Sequence, residues 1–301
     1  MDMKKIIFKG AGTAITTPMK NGDIDYGKYG ELVEFQIKGG IDAIVVCGTT
    51  GEASTLTDDE HKKMIDVTAE AVNGRVKVVA GAGSNDTAYA IELSKHCERA
   101  GVDAILHVTP YYNKTTQKGL IRHFCKIADS VNTPLILYNV PARTNLSILP
   151  ATYYELSKHP NIVATKEAGG NMKAVAQTRQ LCGDNLGIYS GNDEEIVPIL
   201  SLGGLGVISV LSNLIPREVH DMCELYFSGR VEESAKLQVK YIDLIDALFC
   251  ETNPIPIKTA MALFGLDNGE LRLPLCEMEE KNKNALAGIL RAHGLLKGEQ
   301  K

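Results

Sequence analysis

The sequence predicts an α/β fold, a (β/α)8 TIM barrel carrying a C-terminal helical extension. Three observations point to it. Eight short β-rich runs recur along the 301 residues, their starts about 20–35 residues apart, the size of one strand plus one helix. Most of these runs are apolar on both faces, as parallel strands are when helices cover one side and a core the other. Segments of helical period fill the gaps between them.

The strands are expected at 12–16, 43–47, 76–80, 104–109, 135–139, 162–166, 186–190 and 206–210. After the second, Thr57-Asp58-Asp59-Glu60 reads as a capping box, a hydroxyl at the N-cap with a carboxylate three residues on. Met64, Ile65, Val67, Thr68 and Val72 then form an inward face. After the third strand, Thr87 opens a helix that turns Ala90, Ile91, Leu93, Ser94 and Cys97 inward and ends at Gly101. Segments 119–130 and 171–182 follow the same pattern. The rival arrangement is a doubly wound sheet, but no Gly-x-Gly-x-x-Gly follows the first strand. Beyond Val210 the chain is longer than one closing helix needs, and helical patterns continue at 219–227, 231–248, 255–264 and 277–296. The expected division is a barrel with the active site over 1–225 and a helical extension packed on it over 226–301. No Gly/Ser linker separates the two.

Composition narrows the function. With 44% hydrophobic and 23% charged residues the chain is an ordinary globular one, and its net charge of −5 weighs against a nucleic-acid surface. The seven cysteines are scattered, odd in number and without a Cys-x-x-Cys pair, so reduced thiols in a cytoplasmic protein are expected. No His-Glu-x-x-His occurs, and no metal is expected. Residues 1–9 lack the apolar core of a signal peptide. Ile196 to Pro216 carries no charge and reaches the ~20 residues that a membrane helix needs. Its glycines, serines and prolines instead suit a buried helix end, a turn and a strand, so no membrane association is expected.

In such a barrel the reactive groups gather where strands end. Those ends supply Gly48-Thr49-Thr50-Gly51-Glu52, Thr109-Pro110-Tyr111-Tyr112-Asn113-Lys114, Tyr138-Asn139-Val140-Pro141-Ala142-Arg143, Lys166-Glu167 and Ser190-Gly191-Asn192-Asp193. Lys166 closes an apolar strand. It reads either as a nucleophilic amine or as a side chain that snorkels to the rim or pairs with Glu167. Lys258 is the next amine candidate, placed in the extension, while Lys77 starts the third strand at the opposite mouth. The Gly48–Gly51 turn suits a small carboxylate or is a plain turn. Tyr138 could carry a proton or simply pack. Arg143 could clasp a carboxylate or make a surface pair. Tyr111 and Tyr112 could be a subunit contact or core, and Gly203-Gly204-Leu205-Gly206 a phosphate cradle or a site of close packing.

Taken in order, these motifs resemble the dihydrodipicolinate synthase family of class I pyruvate-dependent aldolases. Thr165-Lys166-Glu167, Gly204-x-Gly206-Val207-Ile208-Ser209 and Glu251-Thr252-Asn253-Pro254-Ile255-Pro256-Ile257-Lys258 agree as well, and the resemblance runs from about residue 8 to 296. It implies condensation of pyruvate with L-aspartate 4-semialdehyde through a lysine Schiff base, giving 4-hydroxy-tetrahydrodipicolinate on the way to diaminopimelate and lysine. By that resemblance Lys166 forms the imine and Tyr138 is the general acid/base. Thr49 links Tyr138 to a Tyr112 borrowed from the partner subunit. Thr50 holds the pyruvate carboxylate, Arg143 binds the semialdehyde carboxylate, and Gly191 and Ile208 line the pocket. No cofactor is implied, and a homotetramer built as a dimer of dimers is. Ala53, His61, Asn85, Tyr89 and Tyr111 fall on the family's lysine-effector site.

The departures are specific. Thr115 and Asn145 replace a usual proline and a small residue, away from the catalytic groups. Ala53 stands where many members have serine. Tyr89 stands where lysine-inhibited bacterial forms have a glutamate that would pair with the effector's ammonium, so feedback by lysine is expected to be weak or absent. Sibling aldolases acting on longer sugar acids, such as N-acetylneuraminate lyase or a keto-deoxy sugar acid aldolase, share the lysine and tyrosine but generally lack the Tyr112 and Arg143 combination. A phosphate-binding barrel isomerase would need Glu167 as its base. A catalytically silent pyruvate-binding protein would have no need of the intact lysine, tyrosine and arginine.

Overall fold

Eight parallel strands close on one another in the computed structural model, which describes residues 4–296. They are β1 (Gly10–Ala14), β2 (Ala43–Val46), β3 (Lys77–Gly81), β4 (Ala104–Val108), β5 (Leu135–Asn139), β6 (Ile162–Glu167), β7 (Gly187–Ser190) and β8 (Gly206–Ser209). Each pairs with its sequence neighbours, and β1 pairs with both β2 and β8 to complete the ring. The helices between and beyond them are α1 (Tyr26–Lys38), α2 (Asp58–Val72), α3 (Thr87–Ala100), α4 (Gln117–Ala128), α5 (Pro141–Thr144), α6 (Pro150–Leu156), α7 (Met172–Cys182), α8 (Ile196–Ser201), α9 (Pro216–Phe227), α10 (Val231–Lys240), α11 (Ile242–Leu248), α12 (Ile255–Phe264) and α13 (Glu280–Ala292).

The local signals act as read. Thr57 accepts from the Glu60 N–H while the Glu60 carboxylate accepts from the Thr57 N–H, a reciprocal cap worth about 1 kcal/mol at the start of α2. Gly101 ends α3 in the left-handed conformation. The uncharged run after Glu195 is α8, a turn and β8, and among the described residues no helix is long and apolar enough to cross a membrane.

Several boundaries move. The first strand lies two residues earlier than expected because glycines form it. Gly206 sits opposite Gly10, and a β-carbon there would stand 1.8 Å from the Gly10 carbonyl oxygen. At Gly204 it would stand 2.6 Å from Ile199. The Gly203–Gly206 stretch therefore serves close packing. The helix expected over 231–248 breaks at buried Tyr241, whose ring lies 5.1 Å from that of His293. The last helix starts only at Glu280, since the Glu279 N–H is held by the Glu251 carboxylate.

Two apolar layers result. One fills the barrel with alternate strand residues, among them Ala43, Val45, Val79, Leu106, Ile136, Ala164 and Ile208, above a stacked Phe8–Tyr189 pair at 4.4 Å. The other, including Ile44, Val46, Ile105, Leu135 and Leu137, lies between strands and helices.

Candidate active site

Strand parity decides which strand-end residues share the barrel interior. On β5, Ile136 and Tyr138 belong to the inner layer and Leu135 and Leu137 to the outer. On β6, Ala164 is inside, so Lys166, two residues on, is also inside. Tyr138 and Lys166 are register partners on these adjacent strands. The Lys166 Nζ lies 4.4 Å from the centroid of the Tyr138 ring, and Lys166 is only 6% exposed. It neither snorkels to solvent nor pairs with Glu167.

Glu167 points the other way, out of the barrel. Its carboxylate accepts from Asn139 Nδ2 at 2.8 Å, the Gly169 N–H at 2.8 Å and the Tyr153 hydroxyl at 3.1 Å. Burial raises its pKa above the ordinary carboxylate value. This carboxylate anchors helix α6 to the sheet and is not a base at the rim, so the isomerase reading loses its only candidate. Asp193, on the turn after β7, is fully buried and accepts the Val210 and Leu211 N–H groups. Burial raises its pKa, and the Lys166 charge acts in the opposite sense.

A cavity of about 450 Å³ opens at this end of the barrel, within the size range of small-molecule sites. Tyr138, Thr49, Arg143 and Thr144 line it together with Ala53, His61, Tyr89 and Tyr111. Three of the catalytic and substrate candidates thus share one space with four of the effector candidates, while Lys166 stands behind the Tyr138 ring and is not among the lining residues. Asn85 lies outside that lining, its carbonyl accepting from Asn113 Nδ2 at 2.9 Å. Gly191 sits against Lys166, and a β-carbon there would come within 3.1 Å of the Lys166 Cε. Ile208 is fully buried in the inner layer.

Thr50 is buried, and its Oγ1 accepts from Asn253 Nδ2 at 3.0 Å. Arg143 is exposed at the mouth, and its Nη2 donates to the Asn253 carbonyl at 3.0 Å. Asn253 therefore touches both carboxylate-binding candidates, a role its place in the motif did not announce. Tyr112 is 93% exposed with φ of +65°, and Tyr111 is 41% exposed, so neither is core. Lys258, the second amine candidate, is fully buried and held at 2.6 Å by Glu52 Oε1. That carboxylate claims it for structure.

At the effector candidates, the His61 Nε2 donates to the Gly81 carbonyl at 2.7 Å, and burial lowers the pKa of the ring. Tyr89 donates to Asp58 Oδ1 at 2.9 Å, and burial pushes its phenol up to about 12. Lys62 already neutralises Asp58 from its other oxygen at 2.7 Å. Among the described residues no group of three or more His, Cys, Asp or Glu is placed to hold a metal.

The profile of the Dihydrodipicolinate synthetase family matches residues 7–293. The 4-hydroxy-tetrahydrodipicolinate synthase of Clostridium novyi is 52% identical over 284 residues, 94% of this chain and 96% of that one. The crystal structure of dihydrodipicolinate synthase from Thermotoga maritima matches with a TM-score of 0.95 at 41% identity, over 97% of this chain and all of that one. A crystal structure of the enzyme from Cyanidioschyzon merolae with lysine bound matches at a TM-score of 0.94 and 42% identity, over 97% of this chain and 100% of the other.

Proposed function

The chain belongs to the dihydrodipicolinate synthetase family and condenses pyruvate with L-aspartate 4-semialdehyde in lysine biosynthesis; we propose that it does so through an imine on Lys166, with Tyr138 as the proton carrier. The observation that supports these roles is the register pairing of Tyr138 with Lys166 inside the barrel, at the edge of a cavity walled by Thr49 and Arg143.

The Lys166 nitrogen attacks the ketone carbon, and loss of water leaves a protonated imine. That cation withdraws electrons from the methyl carbon, which gives up a proton to become an enamine. The enamine carbon bonds to the aldehyde carbon, whose oxygen takes a proton. The product's own amine then adds to the imine carbon, closes the ring and expels Lys166. Thr50 holds the pyruvate carboxylate and Arg143 that of the semialdehyde, while Gly191 and Ile208 shape the floor. The lysine imine is itself the electron sink, so no cofactor is required.

The exposure and left-handed backbone of Tyr112 suit insertion into a second copy, where Thr49 would link it to Tyr138. The same reading makes the protein a homotetramer of two tight dimers, the barrel running to about residue 225 with the remainder as its extension. The cysteines are all free, which suits a reducing cytoplasm.

Borohydride reduction in the presence of pyruvate tests the central role. A pyruvate-derived mass is expected on the Lys166 peptide, and a protein that traps none, or traps it on another lysine, overturns the assignment. In the unreduced enzyme, pyruvate with L-aspartate 4-semialdehyde should turn over where longer sugar acids do not.

The effector candidates lead to a second expectation. The phenol at 89 carries no charge and donates its hydrogen bond to an already neutralised Asp58, so it offers an ammonium little. Free lysine is expected to inhibit weakly or not at all, and Tyr89→Glu to increase sensitivity. Complete inhibition at submillimolar lysine would contradict this.

A further inference from the structure

Residues Asn253–Lys258 belong to the extension, far in sequence from the strand ends, yet they hold the groups assigned to the two substrate carboxylates. Asn253 Nδ2 donates to Thr50 Oγ1 at 3.0 Å, and the Asn253 carbonyl accepts from Arg143 Nη2 at 3.0 Å. Five residues on, the Lys258 Nζ donates to Glu52 Oε1 at 2.6 Å and to the Thr17 carbonyl at 2.9 Å. The second Glu52 oxygen accepts from the Arg272 N–H at 3.1 Å, and the Thr17 hydroxyl donates to the Gly51 carbonyl at 2.7 Å. Lys258 and Glu52 are both completely buried at their side chains.

The loop so held is Gly48-Thr49-Thr50-Gly51-Glu52. It needs holding, because it is bounded by two non-glycine residues in the left-handed region, Cys47 at φ +53° and Glu52 at φ +54°. Such conformations persist only where the surroundings over-determine them. An ion pair taken wholly out of water adds little net stability over apolar residues of the same shape. What it does provide is a fixed distance between two chain segments.

We propose that Asn253–Lys258 is a strap that sets the carboxylate-binding geometry of the site, with the Lys258–Glu52 pair as its anchor and Asn253 as its contact with Thr50 and Arg143. Glu52, Lys258 and Asn253 are then positioning residues, acting through Thr50 and Arg143. The amide that donates to Thr50 Oγ1 leaves the Thr50 O–H to donate to pyruvate. The strap rests on the carboxylate-binding roles given above to Thr50 and Arg143, and it assigns the extension a part in substrate binding as well as in packing.

The test compares wild type with the double variant Glu52→Gln/Lys258→Met and with Asn253→Ala. Removing both buried charges together avoids stranding one of them, so the double variant is expected to fold. Each variant should need ~10-fold more pyruvate for half-saturation, with kcat falling less than about threefold, the signature of lost ground-state binding. Measurement well below the melting temperature separates this from instability. If the double variant does not fold, Asn253→Ala alone decides, since it leaves the anchor in place. Wild-type pyruvate saturation in a folded variant overturns the strap. If wild type itself traps no pyruvate at Lys166, the functional reading falls first and the strap with it, so the two failures are told apart by the wild-type control.

Discussion

Lys166→Ala is expected to abolish condensation, by on the order of 10⁴-fold or more, because the other lysine of the strand-end motifs, Lys114, is exposed and lacks a sheltered position in the barrel. The next amine in the sequence pattern, Lys258, is locked at 2.6 Å to a buried carboxylate. The loss should come without a loss of fold. Lys166 is 6% exposed, and among the described residues its amine has no carboxylate within salt-bridge distance. Removing the amine breaks no salt bridge, and the desolvation cost it lifts offsets the lost contact with the Tyr138 ring. The melting temperature of the variant is therefore expected close to that of wild type, with the pyruvate adduct gone from the borohydride map. Activity above a tenth of wild type in a folded Lys166→Ala protein would remove the imine from the mechanism.

Which of Lys166 and Glu167 faces the barrel interior was not legible from hydropathy, and only the family motifs singled out Lys166. The strand Ile162–Glu167 is buried at every position, so hydropathy carries no sign of which residues face the barrel and which the helices. The register to β5 supplies the facing, since Tyr138 and Lys166 share one parity and Asn139 and Glu167 the other. The strand positions themselves, the Thr57 cap and the Gly101 stop were legible because each is a local signal. Helix α1 escaped notice, for its glycines at 27 and 30 lower helical propensity and its burial comes from the tertiary packing of Tyr29, Leu32 and Val33. The Lys258–Glu52 pair escaped for a different reason. Its members are 206 residues apart, and no periodicity links a loop after β2 to a helix beyond the barrel. The family motifs marked both residues without saying that they touch.

Tyr138→Phe is expected to lower kcat by roughly 10²–10⁴-fold, the usual contribution of a positioned acid/base, while leaving the site assembled. The ring would stay, and with it the contact to the Lys166 amine at 4.4 Å, which depends on the face of the ring and not on its hydroxyl. Only the proton carrier is removed. Three steps of the proposed sequence move a proton beside this strand end: loss of water from the first adduct, loss of the methyl proton, and protonation of the aldehyde oxygen. The middle one can be followed without the second substrate, by the exchange of pyruvate methyl protons for deuterium. In Tyr138→Phe that exchange should slow together with condensation, while borohydride still traps pyruvate on Lys166 after long incubation. Methyl exchange at the wild-type rate would show that another group takes the proton and that Tyr138 serves only to cover the amine. Loss of the adduct altogether would place the phenol earlier, in forming the imine. The positions of Tyr138 and Lys166 on adjacent parallel strands favour the first outcome, because the ring that borders the cavity is also the one that lies against the reacting nitrogen.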